Sequence, residues 1–405
     1  MHRILKSLLL LAACMVSATM SAQVTTAVLS GQVSASDGIT VVGANVVAVH
    51  APTGTRYATS TNAQGTFRIN NMRVGGPYVL TVSYVGYKSE EQDDITLQVG
   101  DPYVVNITMQ EEAYSLDEAV ATAMSRNSNM RFDRAGAITS LNQQQVEMVP
   151  TATRTLDDVI TLTPQGSAAC GAFAVGGGNF RQSSVTVDGA QFNNTFGLSQ
   201  RSILPGGGNP ISLDAVEQVS VSITPFDVRQ SGFNGAAVNA VTRSGSNDFH
   251  ATAYSYLTNS NLTGNRVGSY EPFELDKSHS YTYGASVSGP IVKNKLFFFV
   301  NGEYMDFTTA GPVAHAGGGE NGVYSNTNRR PTLDQLNSLS NYLGSHYGMT
   351  TGPWENFDLK TPAYRLMARL DWNINSNNTL NVRFTRSQMK ESSAASASRS
   401  IGSAQ

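Results

Sequence analysis

L-D-A-V-E-Q-V-S-V-S-I-T-P-F-D-V-R-Q-S-G-F-N-G-A-A-V-N-A-V-T-R-S-G-S-N-D-F-H-A-T-A-Y-S-Y, residues 213–256, decides how this chain is divided. Val216 to Ile223 alternates apolar and polar residues, the pattern of a strand, and Pro225 stops the run. A glycine-bearing turn leads to a second short strand, Ala237 to Thr242, and Arg243-Ser-Gly-Ser-Asn-Asp makes a polar turn into a third. Small modules precede the stretch; alternating segments with loops of unequal length follow it. Leu213 to Tyr256 therefore reads as the border where one folding unit ends and the wall of a membrane barrel begins.

The segments after the border carry that expectation. Phe249 to Leu257 sets Phe and Ala against His, Thr and Tyr. Tyr281, Tyr283, Ala285 and Val287 share one face, with Thr282, Gly284, Ser286 and Ser288 on the other. Leu296 to Met305 is apolar on both faces. Tyr364, Leu366, Ala368, Leu370 and Trp372 oppose Arg365, Met367, Arg369 and Asp371, and Leu380, Val382 and Phe384 oppose Asn381, Arg383 and Thr385. The connections alternate long (258–279), short (Gly289–Lys295), very long (306–362) and short (Asn373–Asn378), as an outer-membrane barrel requires. Strands of about 9–11 residues fit the bilayer, and Tyr281, Tyr304, Tyr364 and Trp372 suit interfacial girdles. A soluble sandwich explains neither the loop alternation nor inward cations such as Arg365 and Arg369.

Composition agrees. Charged residues make up 14 % of the 405, against roughly 25 % in soluble domains. A net charge of −3 argues for neither nucleic acid nor an acidic substrate. After the first twenty residues no run reaches the ~18 apolar residues of a spanning helix, so any membrane crossing falls to strands. Residues 1–22 read as a signal peptide: basic His2, Arg3 and Lys6, apolar Leu8 to Val16, and small Ser21-Ala22 before the cut. A competing reading takes Leu11-Ala12-Ala13-Cys14 as a lipoprotein box that acylates Cys14. With cleavage at Ala22, Cys170 is the only cysteine left and forms no internal disulfide.

Residues 26–110 show short strands with turn signals every ~8–12 positions, the mark of a β-sandwich. G-Q-V, V-G-A-N-V, T-N-A-Q-G-T-F-R-I and Y-V-L-T-V-S-Y-V-G-Y follow in order, and the segment resembles the carboxypeptidase-regulatory-like domains. His50 stands alone and reads as structural rather than as a metal ligand.

Residues 111–130 form a polar linker. Leu116, Asp117, Glu118, Ala119, Val120, Ala121, Thr122 and Ala123 read either as a short helix capped by Ser115 and Glu118 or as an extended segment that adds a strand to a partner's sheet. They resemble the L-D-E-V-V-V-T-A energy-coupling box of TonB-dependent receptors, with Ala119 and Ala121 in place of two valines, which lowers strand propensity. Residues 131–247 read as a mixed α/β unit with short helices around Leu141–Val149 and Thr155–Leu162, and a flexible Gly/Ala run from Gly166 to Asn179. The unit resembles the plug of the same receptors through Arg181, Val187-Asp188-Gly189, Val216-Glu217-Gln218-Val219 and Asn239-Ala240-Val241-Thr242-Arg243-Ser244-Gly245-Ser246-Asn247. Pro225-Phe226-Asp227 and Asn247-Asp248-Phe249-His250 are similar to the Oar-like branch. The resemblance marks Arg181, Asp188, Gly189, Glu217, Asn239 and Gly245 as plug positions.

Asp188 and Glu217 lack the shared cleft and nucleophile of an acid/base pair, and the two triple-glycine runs lack a phosphate-loop context. Arg229 and Arg243 read as solvated or paired to a wall carboxylate. The expectation is thus a mainly β chain: a sandwich, a mixed α/β plug, and, over residues 248–405, the first five or so strands of an antiparallel transmembrane β-barrel. Plugged transporters use about 22 strands, so the chain reads as an N-terminal fragment. The resemblance implies a TonB-type coupling protein, outer-membrane lipid and an unknown extracellular ligand as partners, with no cofactor, metal or nucleic acid. It places the N-terminal domain in the periplasm. A surface adhesin or structural protein that does not transport is the alternative, motivated by the altered coupling box.

Overall fold

The computed structural model describes residues 25–111, 138–148, 155–169, 172–192, 211–223, 233–262, 264–266, 268, 277–310, 332–351, 358–375, 378–390 and 392. The signal segment, the coupling box at 116–123, Arg229 and Cys170 lie outside them.

The first seven strands build a sandwich. They are β1 (Ala27–Ala35), β2 (Asn45–His50), β3 (Thr55–Ser60), β4 (Thr66–Met72), β5 (Gly75–Ser83), β6 (Glu90–Leu97) and β7 (Tyr103–Met109). One sheet runs β4-β1-β7 and the other β3-β2-β5-β6. Period-two alternation buries Leu29 and Val33 of β1, Val46 and Ala48 of β2, and Tyr78, Leu80 and Val82 of β5 in a single core. β6 was not foreseen. Its sequence, E-E-Q-D-D-I-T-L, looks like a solvated charge run, yet only Ile95 and Leu97 need to face the core. An edge strand with charged outer residues also resists pairing with other chains.

The central sheet comes next. β8 (Ile138–Asn142), β12 (Ser184–Val187), β13 (Ala190–Gln191), β14 (Val216–Ser222) and β15 (Ala237–Thr242) associate in the order β13-β12-β15-β14-β8. Helices α1 (Gln143–Met148) and α2 (Leu156–Thr161) cover one face, burying Val146, Leu156, Val159 and Ile160 against Val185, Val219, Val221 and Val238. A reciprocal capping box between Thr155 and Asp158 starts α2. The Gly/Ala run expected to be flexible is instead a small sheet, β9 (Gly166–Ala169), β10 (Ala172–Val175) and β11 (Gly178–Asn179), ordered β11-β10-β9. Small residues permit it: a Cβ on Gly166 would collide with the Ile160 carbonyl.

The last sheet contains β16 (His250–Asn259), β17 (His279–Val292), β18 (Leu296–Ala310), β20 (Ala363–Asn375) and β21 (Asn378–Met389) in that order, with β19 (Asp358–Lys360) pairing to β18. Among the described residues it is open, β16 and β21 each having one neighbour. Faces alternate as expected. Tyr283, Val287, Leu366, Leu370, Trp372, Val382 and Phe384 are exposed, while Ser286, Ser288, Asn301, Glu303, Arg365, Arg369 and Asp371 are buried. The strands reach 15 residues in β18 and 14 in β17, longer than expected. From Tyr364 to Trp372 is about 27 Å of strand rise, enough for an apolar band; the excess extends beyond it. The long 306–362 connection holds an unforeseen helix, α3 (Leu333–Tyr347), with a Thr332/Gln335 capping box and left-handed Gly348 at its end. No helix among the described residues is long and apolar enough to cross a membrane.

By its internal contacts the chain forms two units: residues 1–251, 286–301 and 367–385, and residues 252–285, 302–366 and 386–405.

Candidate functional site

The first unit contains a buried cluster of charges where the central sheet meets wall residues. Its centre is Asp188, in the tight turn after β12 with φ 49 and Gly189 behind it at φ 84. Asx-type residues tolerate this left-handed backbone. It aims the carboxylate along the sheet, where it accepts from the Thr242 backbone N–H at 2.9 Å and from the Thr242 hydroxyl. Arg383 of β21 completes its shell: Nε lies 3.3 Å from Asp188 Oδ2, and a terminal nitrogen donates to the Asp188 carbonyl at 2.9 Å.

A second pair lies on β20. Arg369 donates to both oxygens of Asp371 at 2.9–3.1 Å, a fork-to-carboxylate arrangement two residues apart on the inward face. Its remaining donors reach the Thr242 carbonyl and hydroxyl. Thr242 thus touches Asp188 and Arg369 at once, joining the two pairs. Asp371 also takes Arg73, whose Nη2 is 2.9 Å from Oδ2. Arg73 leaves the turn between β4 and β5, where the Tyr57 hydroxyl accepts from its N–H and the Tyr78 hydroxyl donates to its carbonyl.

Glu217 on β14 adds a third carboxylate. Burial pushes its carboxyl above the usual range, and Arg243, Arg369 and Arg73 pull it back. Arg73, Arg369 and Arg383 therefore face Asp188, Asp371 and Glu217, which limits the unbalanced charge removed from water.

The positions marked in the sequence fall unequally on this site. Asp188 and Gly189 form its turn, and Glu217 its flank. Asn239 accepts from the Thr186 hydroxyl within the central sheet. A Cβ on Gly245 would sit 2.8 Å from the Gly289 carbonyl oxygen and 3.0 Å from Phe297 Cβ, so only glycine lets the chain pass this close to the wall. Arg181 lies apart, exposed on a 3-10 turn at Phe180–Gln182. Arg243, read as solvated or paired to a wall carboxylate, lies over the Phe299 ring, 5.8 Å from the centroid, and donates to the Asp214 carbonyl at 3.4 Å. The wall supplies both signs at this junction, Arg369 and Arg383 as cations and Asp371 as an anion. Arg73, Asp371 and Arg383 were not marked. Asp371 and Arg383 alternate inward on their strands, which was the available clue; Arg73 had none.

The second unit holds its own inward pair. Glu303 of β18 and Arg365 of β20 form a buried ion pair, and the Tyr254 hydroxyl donates to Glu303 at 3.0 Å.

Two segments of the chain match known families. Residues 28–110 match the Carboxypeptidase regulatory-like domain, and residues 241–404 match the Outer membrane beta barrel domain. The TonB-dependent transporter Oar of Myxococcus xanthus is 26 % identical over 257 residues, which are 59 % of this chain and 23 % of that protein. The chain thus spans under a quarter of that curated relative. Among solved structures, the siderophore receptor PirA from Acinetobacter baumannii is 17 % identical with a TM-score of 0.41, over 63 % of this chain and 32 % of that one. The ferric enterobactin receptor PfeA from Pseudomonas aeruginosa is 14 % identical with a TM-score of 0.42, over 63 % and 33 %.

Proposed function

We infer that this chain, a TonB-dependent receptor of the outer membrane, works as the gated entry of an active transporter whose extracellular ligand is unidentified. The single observation that supports this most is the charge cluster around Asp188 and Thr242, which seats the central sheet, read as the plug, against inward-facing wall residues. A plug must be held firmly at rest and released under pull. Buried ion pairs suit that duty: losing one partner in a dry site costs about 3–5 kcal/mol, whereas water entering a polar lumen re-solvates both partners and lowers the cost of parting.

Leu116 to Ala123 captures the TonB-type coupling protein by strand addition, and the pull is delivered to the plug through residues 124–137. The sandwich lies in the periplasm in this reading, because Asn294 and Asn373, which it contacts, belong to the short-turn ends of the wall. The outward Leu366, Leu370 and Val382 face lipid. Deleting Asp117 to Ala123 in the full-length protein abolishes energised uptake and leaves ligand binding intact; uptake at the wild-type rate would remove the assignment. A peptide of this segment that fails to bind the purified partner's C-terminal domain favours an adhesin instead.

A further inference from the structure

The sandwich presents one pole to the rest of the first unit. The turns β2–β3, β4–β5 and β6–β7 all lie there, as the pairings His50 with Thr55, His50 with Tyr78 and Gly75 with Leu97 require. Each turn makes a specific contact. From the first, the Pro52 carbonyl accepts from the Asn247 N–H at 2.8 Å, and Thr55 at its end accepts from Asn373 Nδ2 at 2.9 Å. From the second comes the Arg73 ion pair with Asp371. The third offers the Val99 N–H to the Gln218 side-chain carbonyl at 3.3 Å.

Two features show a fitted surface. Val241 of β15 is buried within the sandwich's own core cluster, so the two folds share apolar packing. Gly75, at φ 93, brings its backbone so close to Glu217 that a Cβ there would lie 3.2 Å from Oε1. Ala58, Gln64 and Arg68, away from this pole, take no part.

We propose that the β-sandwich is a latch, docking through this pole onto β14–β15 and the wall's short-turn ends to hold the gate seated. Arg73 is its bolt: without it Asp371 loses a partner at 2.9 Å and leans on Arg369, which must also hold Thr242. The sandwich thereby has a purpose beyond spacing the coupling box from the membrane. The inference rests on the gate reading for its meaning, but its test does not depend on transport.

Two measurements on the full-length protein in native outer-membrane vesicles decide it. In a background freed of native cysteines, Cys170→Ser included, Thr55→Cys with Asn373→Cys becomes joined by a short bismaleimide, whereas Gln64→Cys with Asn373→Cys does not. Equal joining of both pairs, or of neither, overturns docking at this pole. Arg73→Gln raises hydrogen exchange of the β14 and β15 amides about 100–1,000-fold, the scale of one lost buried charge partner, while β1 and β5 stay protected. Arg68→Gln leaves exchange unchanged. Undisturbed β14–β15 exchange in Arg73→Gln, with the sandwich folded, overturns the latch; loss of uptake on deleting the coupling box is a separate outcome that bears only on the gate.

Discussion

His50 shows how far a residue's setting can depart from its sequence. A lone histidine at a strand end offers no chemistry, and its structural role holds: its ring lies 4.8 Å from Tyr78, and Nδ1 meets the Thr53 hydroxyl at 2.7 Å. Burial, and then the nearby Arg73, lower its pKa from 6.5 to about 3. A folded pKa below the unfolded one means that the unfolded chain takes up the proton first. The sandwich therefore has full stability above about pH 6.5 and loses it as pH falls toward 3, by about 2 kcal/mol at pH 5. Hydrogen-exchange protection of β2 and β5, corrected for intrinsic rates, should show this loss, and His50→Gln should flatten it. Equal slopes in the two proteins would show that His50 titrates normally.

Among the elements, the wall strands were the most legible, because a period of two survives any tilt or register. Tyr364, Leu366, Leu370 and Trp372 are exposed, and Arg365, Arg369 and Asp371 are buried, as alternation requires. Leu370→Arg places a cation near the middle of the outward band and costs about 2–4 kcal/mol there, against about 0–1 kcal/mol for Ile374→Arg on the same face at the strand end. Heat-modifiable gel mobility of the outer-membrane fraction reads the difference as folded yield, and matching yields would mean that this face does not meet lipid. β6 and α3 are hard to read for one reason: both are mostly polar, and two or three apolar anchors set against many charges or amides leave a weak pattern. The Thr332/Gln335 capping box and Gly348 were the readable trace of α3.

At the scale of the molecule, the charge cluster ties β12, β15, β20 and β21 together, and its strength is a coupling rather than a sum. Asp188→Asn and Arg383→Met, made singly and together, should show a coupling of about 1–3 kcal/mol in urea titrations followed by hydrogen exchange at β12 and β15. Strict additivity would mean that the pair contributes nothing to seating the gate. The resemblance marks Asp188, Gly189, Glu217 and Gly245, but no local pattern shows that Arg383 reaches Asp188 or that Arg369 reaches Thr242, which lie 195 and 127 residues apart along the chain.

Residue order alone carries the local and periodic features: a β-rich chain, the sandwich, and the inward and outward faces of the wall. Each follows from residue spacing and turn chemistry within about ten positions. Tertiary structure alone decided that Asp188 meets Arg383, that Arg243 lies on Phe299 and that Arg73 reaches Asp371. A side chain's charge is visible in the sequence, but its partner depends on which turns the fold brings to one place. Burial then makes that choice costly to reverse.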